Sequence, residues 1–345
     1  MAWLSRNHRM LWLSVLGLTS VTYMLVTVSR VHAAATLPIF PPEEVEDTSV
    51  CSTSSSSSSS TTSKAPTIFF ITPTYPRREQ VAELVRLGQT LVLAGNVHWV
   101  VAEDAPSCSP LVAGLLARLG LPYTHLTSPQ PAMYREAKLK YNPRGVSSRR
   151  AGLAWVMANR AEGVVYFGDD DNTYDVRLFG EMARTKQVSM FPVGFIGAQG
   201  FSSPLVVGGK VVGFSDDWFA QRKFPVDMAG FAVGLPFLKA RNAKAHQAMP
   251  YKAGYEEDMF LQNLNIQLGD IEPLAAGCTE VLVWHTKTVK EKVPSLQPAE
   301  EGSNLLGSNL VKLLEGAVHA GMATISRAGK RLKTCFDLKQ CKTNG

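Results

Sequence analysis

The sequence predicts an α/β protein whose mainly parallel central sheet is covered by helices and preceded by a membrane anchor. Short apolar runs such as Ile68–Ile71 and Val164–Phe167 have the length and composition of buried strands. Segments with apolar residues at helical spacing, such as Val81–Leu93, alternate with these runs, and this alternation is typical of β-α-β units. One long apolar run near the N-terminus predicts the anchor.

The composition indicates a globular protein with an anionic ligand. Of 345 residues, 45% are hydrophobic and 19% are charged, which excludes a wholly disordered chain. Lys and Arg exceed Asp and Glu by 35 to 29, a net charge of +6, without any basic block. This pattern favours an anionic small molecule or glycan and predicts no nucleic-acid partner.

The five cysteines form neither a CxxC motif nor a zinc-binding pattern. Cys335 and Cys341 are close enough to close a small loop in an oxidising compartment, and unpaired thiols are the alternative.

The N-terminal region predicts a type II membrane protein. Residues 10–28 are almost free of charge and, at roughly 1.5 Å per residue, come close to the ~30 Å hydrocarbon core of a bilayer. The basic residues within 1–9 keep that tail cytoplasmic and place the rest on the luminal side. A cleaved signal peptide, with small residues at Ala33–Ala35, is the alternative.

A stem is predicted over residues 29–65. This segment contains an unbroken Ser/Thr run, Ser52–Ser63, which buries too little apolar area to offset its chain entropy. We expect it to be extended and solvated.

Strands and helices are predicted from residue 66 onward. Further strands are expected at Val97–Val101 and near Val281–Val283, and further helices at Pro110–Leu119, Ser147–Asn159 and from Glu256 to about Leu268. Ligands of such sheets bind beyond the carboxyl ends of the strands. Tyr75, Asp104 and the triplet Asp169–Asp171 all follow predicted strands.

The acidic triplet is the strongest single motif. Three adjacent carboxylates repel one another, so they require a cation or several hydrogen-bond donors. A hard divalent ion shared with a diphosphate, Mg²⁺ or Mn²⁺, fits this requirement, and a solvated acidic turn is the alternative.

The sequence lacks three common motifs of other enzyme classes. No GxxxxGK[ST] of nucleotide hydrolases is present, no GxGxxG of dinucleotide-binding proteins follows the first strand, and no GxSxG of hydrolases is present.

Nucleotide binding would then depend on individual side chains. The candidates are Tyr75, stacking on a base, Asp104, accepting from the base edge, and Arg144 or Arg149, pairing with anionic groups. Each of them is otherwise an ordinary surface residue.

Three clusters follow downstream. Asp227 lies in an apolar stretch and needs donors from the protein or from ligand hydroxyls, while Trp218 is either a sugar-stacking ring or a core residue. Glu257 is either a general base or a partner of the helix dipole. His285 and Lys287 follow a short strand, where they are expected to meet a phosphate, although a lone His is often structural.

Together these segments resemble the β-1,3-glucuronosyltransferases of glycosyltransferase family 43, in particular the enzymes that complete the glycosaminoglycan linker tetrasaccharide. The resemblance extends from about Ile68 to Thr288 and is carried by the motifs IFFITPTYPR, HWVVAEDA, NPRGVSSR, VVYFGDDDNTY, FPVDMAGFAV, EED and VLVWHTKT.

The resemblance implies a GT-A fold over residues 66–295. This region is expected to divide into a UDP-sugar half, 66–175, and an acceptor half, 176–295. A divergent tail, 296–345, follows it. The resemblance also implies a Golgi enzyme that binds Mn²⁺, with Mg²⁺ as an alternative. The expected donor is UDP-glucuronate, and the expected acceptor is a galactose-terminated glycan or proteoglycan. A homodimer is a further expectation.

The resemblance also implies roles for individual residues. For the donor, Tyr75 and Asp104 are expected to bind uracil with help from Arg144, and Arg149 is expected near the diphosphate or glucuronate. Asp169 and Asp170 are expected to bind donor hydroxyls. His285 is expected to contact the β-phosphate, with Lys287 beside it. The metal ligand is Asp171. Trp218, Arg222 and Asp227 line the galactose site, and Glu257 is the catalytic base.

Two departures from the family pattern matter. Ser202 stands where the linker enzymes have an acidic acceptor contact, and Lys287 stands where Arg is common. Transfer of another UDP-sugar by the same fold, and a non-catalytic glycan-binding subunit, are the alternative functions.

Overall fold

The protein is described by a computed structural model that covers residues 47–54, 65–136, 143–241, 249–289, 292–298 and 308–332. Its α-helices of five or more residues are α1 (Gln80–Ala94), α2 (Pro110–Leu119), α3 (Ala132–Glu136), α4 (Val146–Asn159), α5 (Arg177–Met182), α6 (Leu235–Ala240), α7 (Glu256–Asn263) and α8 (Asn309–His319). Its strands are β1 (Ser49–Ser54), β2 (Ile68–Thr74), β3 (Val97–Glu103), β4 (Tyr123–Thr127), β5 (Val164–Phe167), β6 (Thr173–Tyr174), β7 (Val188–Met190), β8 (Val193–Gly194), β9 (Phe201–Val207), β10 (Lys210–Ser215), β11 (Phe231–Gly234), β12 (Ile271–Pro273), β13 (Val283–Trp284), β14 (Ser295–Leu296) and β15 (Thr324–Ile325).

The central sheet has the strand order β1-β4-β3-β2-β5-β11-β7-β12 in the described part of the chain. Strands β4, β3, β2 and β5 are parallel neighbours, whereas β11 runs antiparallel to both β5 and β7. From β2 the chain moves outward through β3 to β4 and then returns to the other side of β2 as β5. The sheet therefore has a topological switch point between β2 and β5, the place where open α/β sheets bind ligands.

Both faces of the central sheet are buried, and adjacent residues of a strand supply opposite layers. In β2, Phe69 and Ile71 pack in one layer and Ile68 and Phe70 in the other. Helix α4 covers the first layer, and helices α1 and α2 cover the second. The α/β architecture predicted from the sequence is confirmed, and the predicted helices before residue 160 lie within about a residue of their observed bounds.

A second sheet has the strand order β10-β9-β8-β13-β6. It brings the segment after β13 next to the segment after β5, because β13 pairs with β6. The strand predicted near Val281 is shorter than expected, and the helix predicted to reach Leu268 ends at Asn263.

The structure corrects part of the predicted stem. Ser49–Ser54 forms β1, an antiparallel edge strand on β4, so these residues belong to the sheet and not to the predicted stem. Ser49 Oγ hydrogen-bonds to Thr127 Oγ1 at 2.7 Å, and Cys51 forms a disulfide with Cys108 between β3 and α2. Backbone pairing and the cross-link order a segment that has little apolar area to bury.

Other predictions of the N- and C-terminal regions lie outside the described residues. These are the tail 1–9, the anchor 10–28, most of the stem, and the pairing of Cys335 with Cys341. Within the described ranges, none of the helices has the length and apolar character required to cross a membrane.

The disulfide is expected to stabilise the fold measurably. For a loop closed over a separation of 57 residues, the double variant Cys51→Ser/Cys108→Ser should lose about 2–4 kcal/mol of unfolding free energy. Calorimetry should show a lower Tm than for Cys278→Ser, which removes the half-buried free thiol. A double variant as stable as the wild-type protein would contradict the assignment.

Candidate active site

A cavity of about 730 Å³ opens at the switch point between β2 and β5. All nine residues predicted to contact the donor or metal line it: Tyr75, Asp104, Arg144, Arg149, Asp169, Asp170, Asp171, His285 and Lys287. The structure thus brings together side chains from five separate segments of the chain. Their individual roles remain predictions.

The three carboxylates of the acidic triplet have different surroundings. Asp169 forms an ion pair with Arg149, and Asp170, which is 5% exposed, receives hydrogen bonds from Thr74 and Arg77. Burial raises the pKa of Asp170 to about 6 against the opposing effect of Arg77. Burial and the charges of Asp169 and Glu83 also raise the pKa of Asp171, so a cation beside Asp171 would be favourable.

The site fits a divalent cation that is only partly coordinated by protein. No group of three His, Cys, Asp or Glu side chains suited to a metal is found in the described ranges. Mg²⁺ and similar ions are commonly held by one or two carboxylates together with substrate phosphates and water. Asp171, a carboxylate on the cavity wall with a raised pKa, meets that requirement.

Two glycines permit the close packing of the cavity walls. A Cβ on Gly168 would lie 2.0 Å from Cζ of Phe70, so only glycine allows the triplet to pass over this buried ring. Gly145 has a φ of 73° and caps α4, and a Cβ there would lie 2.8 Å from Nη1 of Arg149. The guanidinium of Arg149 is thereby held between Asp169 and the carbonyl of Arg144.

Tyr75 and Asp104 line another part of the cavity wall. Asp104 Oδ1 accepts a hydrogen bond of 2.7 Å from the backbone N–H of Gln130, which fixes one carboxylate oxygen. Arg77 lies beside Tyr75, its Cζ 4.6 Å from the ring centroid. Arg77 and Glu83 also line the cavity and were not predicted as site residues, although Arg77 follows the strand-end motif TPTY.

The other four predicted residues, Trp218, Arg222, Asp227 and Glu257, are not among those that line the cavity, but Asp227 contacts the lining residue His285. His285 Nδ1 donates to Asp227 Oδ2 at 2.9 Å, and Asp227 also caps the turn Met228–Gly230 by accepting from Ala229 N–H. Burial alone would raise the pKa of Asp227, but the hydrogen bond and charge of His285 lower it. The same hydrogen bond raises the pKa of His285.

Trp218 is 46% exposed, so the core interpretation of this residue is wrong. Arg222 packs over its ring at 4.5 Å and forms an ion pair with Asp216 at 3.0 Å. Gly254 permits this position, because a Cβ there would lie 2.6 Å from Trp218. The indole of Trp218 is therefore held by Arg222 and is otherwise partly open to solvent.

Glu257 has the environment of a proton acceptor. Its Oε2 is buried without a hydrogen-bond partner, in the first turn of α7. Burial, followed by the charges of Glu256 and Asp227, raises the pKa of Glu257 to about 8. The role of Glu257, as general base or as partner of the helix dipole, stays a prediction. Ser202, at the departure from the family pattern, is buried on β9 with an unpartnered hydroxyl.

Comparison of the sequence with protein-family models identifies the family of this chain. The family model described as glycosyltransferase family 43 matches residues 87–289, more than half of the chain. The chain belongs to glycosyltransferase family 43. Together with the sheets and helices described above, this membership confirms the predicted GT-A class.

Similar curated proteins share one name. Galactosylgalactosylxylosylprotein 3-beta-glucuronosyltransferases S and P of Drosophila melanogaster are 52% and 49% identical, each over 66% of this chain and over 55% and 47% of their own lengths. The Mus musculus protein with the same name and the number 3 is 46% identical, over 69% of this chain and 76% of its own. The chain thus spans about half the length of the two fly proteins.

Among solved structures, Staphylococcus aureus TarS is similar over 64% of this chain, with 15% identity and a TM-score of 0.39.

The raised pKa of Glu257 has a consequence for stability. A carboxyl whose pKa rises from 4.5 in the unfolded chain to about 8 in the folded protein stabilises the fold below pH 4.5. That stability is lost as the pH rises toward and through 8. We therefore expect Glu257→Gln to raise the Tm relative to wild type at pH 8.5 and to change it little at pH 4.5.

Differential scanning calorimetry at both pH values measures this difference. The exposed Glu315, changed to Gln, is a matched control that should give no pH-dependent difference. A Tm difference between Glu257→Gln and wild type that is equal at both pH values would show that the Glu257 carboxyl is not perturbed.

Proposed function

We propose that this protein transfers glucuronate from UDP-glucuronate to the 3-hydroxyl of a terminal galactose, with inversion, on a glycosaminoglycan linker or related glycan. One observation supports it most strongly: Glu257, a carboxyl group with a raised pKa whose buried Oε2 has no hydrogen-bond partner, lies close enough to the cavity-lining Arg149 for their charges to interact. The relatives with 46–52% identity carry the name of such an enzyme.

In this proposal the cavity holds the donor. Tyr75 stacks on uracil, Asp104 accepts from its edge with its remaining oxygen, and Arg144 assists. Arg149 lies near the diphosphate or glucuronate, and Lys287 adds a point charge near the phosphates. Asp169 and Asp170 bind donor hydroxyls through the lone pairs that Arg149, Thr74 and Arg77 leave available.

Asp171 would hold the divalent ion, Mn²⁺ or alternatively Mg²⁺. When bound, that ion supplies positive charge beside the diphosphate of the departing UDP. His285, oriented by Asp227, donates a hydrogen bond to the β-phosphate and stabilises the same developing charge. No separate acidic residue is needed to protonate the leaving group.

The acceptor galactose would lie against the open part of Trp218, with Arg222 and Asp227 beside it. Glu257 removes the proton from the 3-hydroxyl as that oxygen attacks the anomeric carbon. One base and a charged site for the leaving group suffice for an inverting transfer, whereas a glycosidase needs a pair of carboxyl groups that flank the bond.

The proposed setting is the Golgi membrane. A single anchor at residues 10–28 would leave the catalytic region luminal, as expected for a type II protein, and a homodimer is a further element of the proposal. An oxidising lumen is consistent with the disulfide between Cys51 and Cys108.

The donor can be tested with a soluble form. It should start at Glu46 so that β1 and the disulfide are retained. With Mn²⁺ and either Gal-Gal-xyloside or N-acetyllactosamine, UDP release should occur with UDP-glucuronate and not with UDP-xylose, UDP-glucose or UDP-galactose. Turnover only with another donor would favour the transfer of a different sugar, and UDP binding without any turnover would favour a non-catalytic subunit.

The proposed base can be tested in the same assay. Glu257→Gln should reduce kcat by about 10²–10⁴-fold, because a neutral amide cannot accept the hydroxyl proton. UDP affinity, measured by calorimetry, should remain at the wild-type value. Glu315→Gln serves as the control with unchanged turnover, and full turnover by Glu257→Gln would refute the assignment.

A further inference from the structure

Arg77 joins three groups at the switch point of the sheet. Its guanidinium forms ion pairs with Glu83 of α1 and with Asp170 Oδ1, the latter at 2.7 Å. Its Nη1 donates to the carbonyl oxygen of Tyr75 at 3.3 Å, and its Cζ lies 4.6 Å from the Tyr75 ring centroid. The side chain is only 10% exposed although it lines the cavity.

These contacts connect two residues of the proposed donor site. Tyr75 is the proposed stacking partner of the base, and Asp170 is a proposed contact of the donor sugar. The two residues follow different strands, Tyr75 after β2 and Asp170 after β5. Arg77 is in direct contact with both residues.

Glu83 anchors the guanidinium. It is 3% exposed, and its Oε1 is buried with no hydrogen-bond partner, while its Oε2 pairs with Arg77. A carboxylate in such a position is costly unless a cation faces it. Nη2 of Arg77 contacts both Glu83 Oε2 and Asp170 Oδ1, and Nη1 contacts the carbonyl oxygen of Tyr75, so the planar guanidinium is held in one orientation.

The other oxygen of Asp170 is fixed independently. Thr74 donates to Asp170 Oδ2 at 2.7 Å and accepts from Gln80 Nε2 at 3.2 Å, and Gln80 donates in turn to the buried Glu103. Asp170 is thus oriented from two sides, and removing Arg77 would free one side only. The carboxylate would stay in place but with an altered orientation of Oδ1.

We propose that Arg77, anchored by Glu83, is a positioning residue that sets the Tyr75 ring and the Asp170 carboxylate in the geometry that binds a uridine diphosphate sugar. This inference rests on the proposed function of the cavity. Arg77 acts through its two neighbours and is not assigned a part in the chemical step.

The test uses the soluble form that begins at Glu46, with UDP as the binding probe in calorimetry. Arg77→Met should weaken UDP binding about 10- to 100-fold, the loss expected when a charge-assisted hydrogen bond is removed. KM for the donor should rise by a similar factor while kcat changes less, because the contacts are present in both the ground state and the transition state. A purely structural role would lower the Tm without changing KM or UDP affinity, and that result would overturn the proposal.

Arg184→Met is the matched control. It also removes the arginine of an Arg–Glu pair, with Glu181, but this pair is 62% exposed at its arginine and lies outside the cavity lining. It should leave UDP affinity and KM unchanged. An equal loss in Arg184→Met would show that the effect of Arg77→Met is not specific to the site.

A double-mutant cycle tests whether Arg77 acts through Tyr75. The variants Arg77→Met, Tyr75→Ala and their combination should be non-additive in UDP affinity, with little further loss when Arg77→Met is added to Tyr75→Ala. Fully additive losses would contradict the positioning role. If Arg77→Met fails to fold, Arg77→Lys replaces it, and the same rise in KM to a smaller extent is expected.

The controls separate this inference from the proposed function. Wild-type protein that does not bind UDP would refute the donor site itself. Wild-type binding together with unchanged binding by Arg77→Met and Arg77→Lys would refute only the role of Arg77.

Discussion

Mutual repulsion among the carboxylates of the Asp169–Asp171 triplet is the constraint on which the rest of the site depends. The structure satisfies it by giving each carboxylate a different environment: Arg149 pairs with Asp169, and Arg77 with Thr74 binds Asp170. Asp171 is left on the cavity wall with a raised pKa. Two charges are compensated within the protein, and the third is available to a cation brought in with an anionic ligand.

The fold supplies these partners from separate elements that meet at one edge of the sheet. Arg77 follows β2, Arg149 lies on α4 and the triplet follows β5. Parallel strands place their carboxyl ends together, and the reversal of strand order between β2 and β5 opens a cleft there. Close packing at Gly168 then allows the triplet to pass directly over the buried core.

Sequence patterns predicted the features that depend on local periodicity and failed on those that depend on distant partners. The buried strands were evident from apolar runs, and their polar ends marked the cavity. By contrast, the pairing of Cys51 with Cys108 joins residues 57 positions apart, and Ser49–Ser54 is ordered by the edge of β4 despite a composition that disfavours a core. Arg77 was missed because an arginine after a strand carries no local sign of the buried Glu83 that fixes it.

The surroundings of two carboxyl groups near the cavity shift their pKa values in opposite directions. Asp227 has a lowered pKa because His285 hydrogen-bonds to it, whereas Glu257 lacks any partner for Oε2 and has a pKa of about 8. Such a separation distinguishes an ionised positioning group from a group that exchanges a proton near neutral pH. Arg149 lowers the pKa of both carboxyls and pairs with Asp169. An anionic ligand that neutralised Arg149 would therefore raise the pKa of Glu257 further.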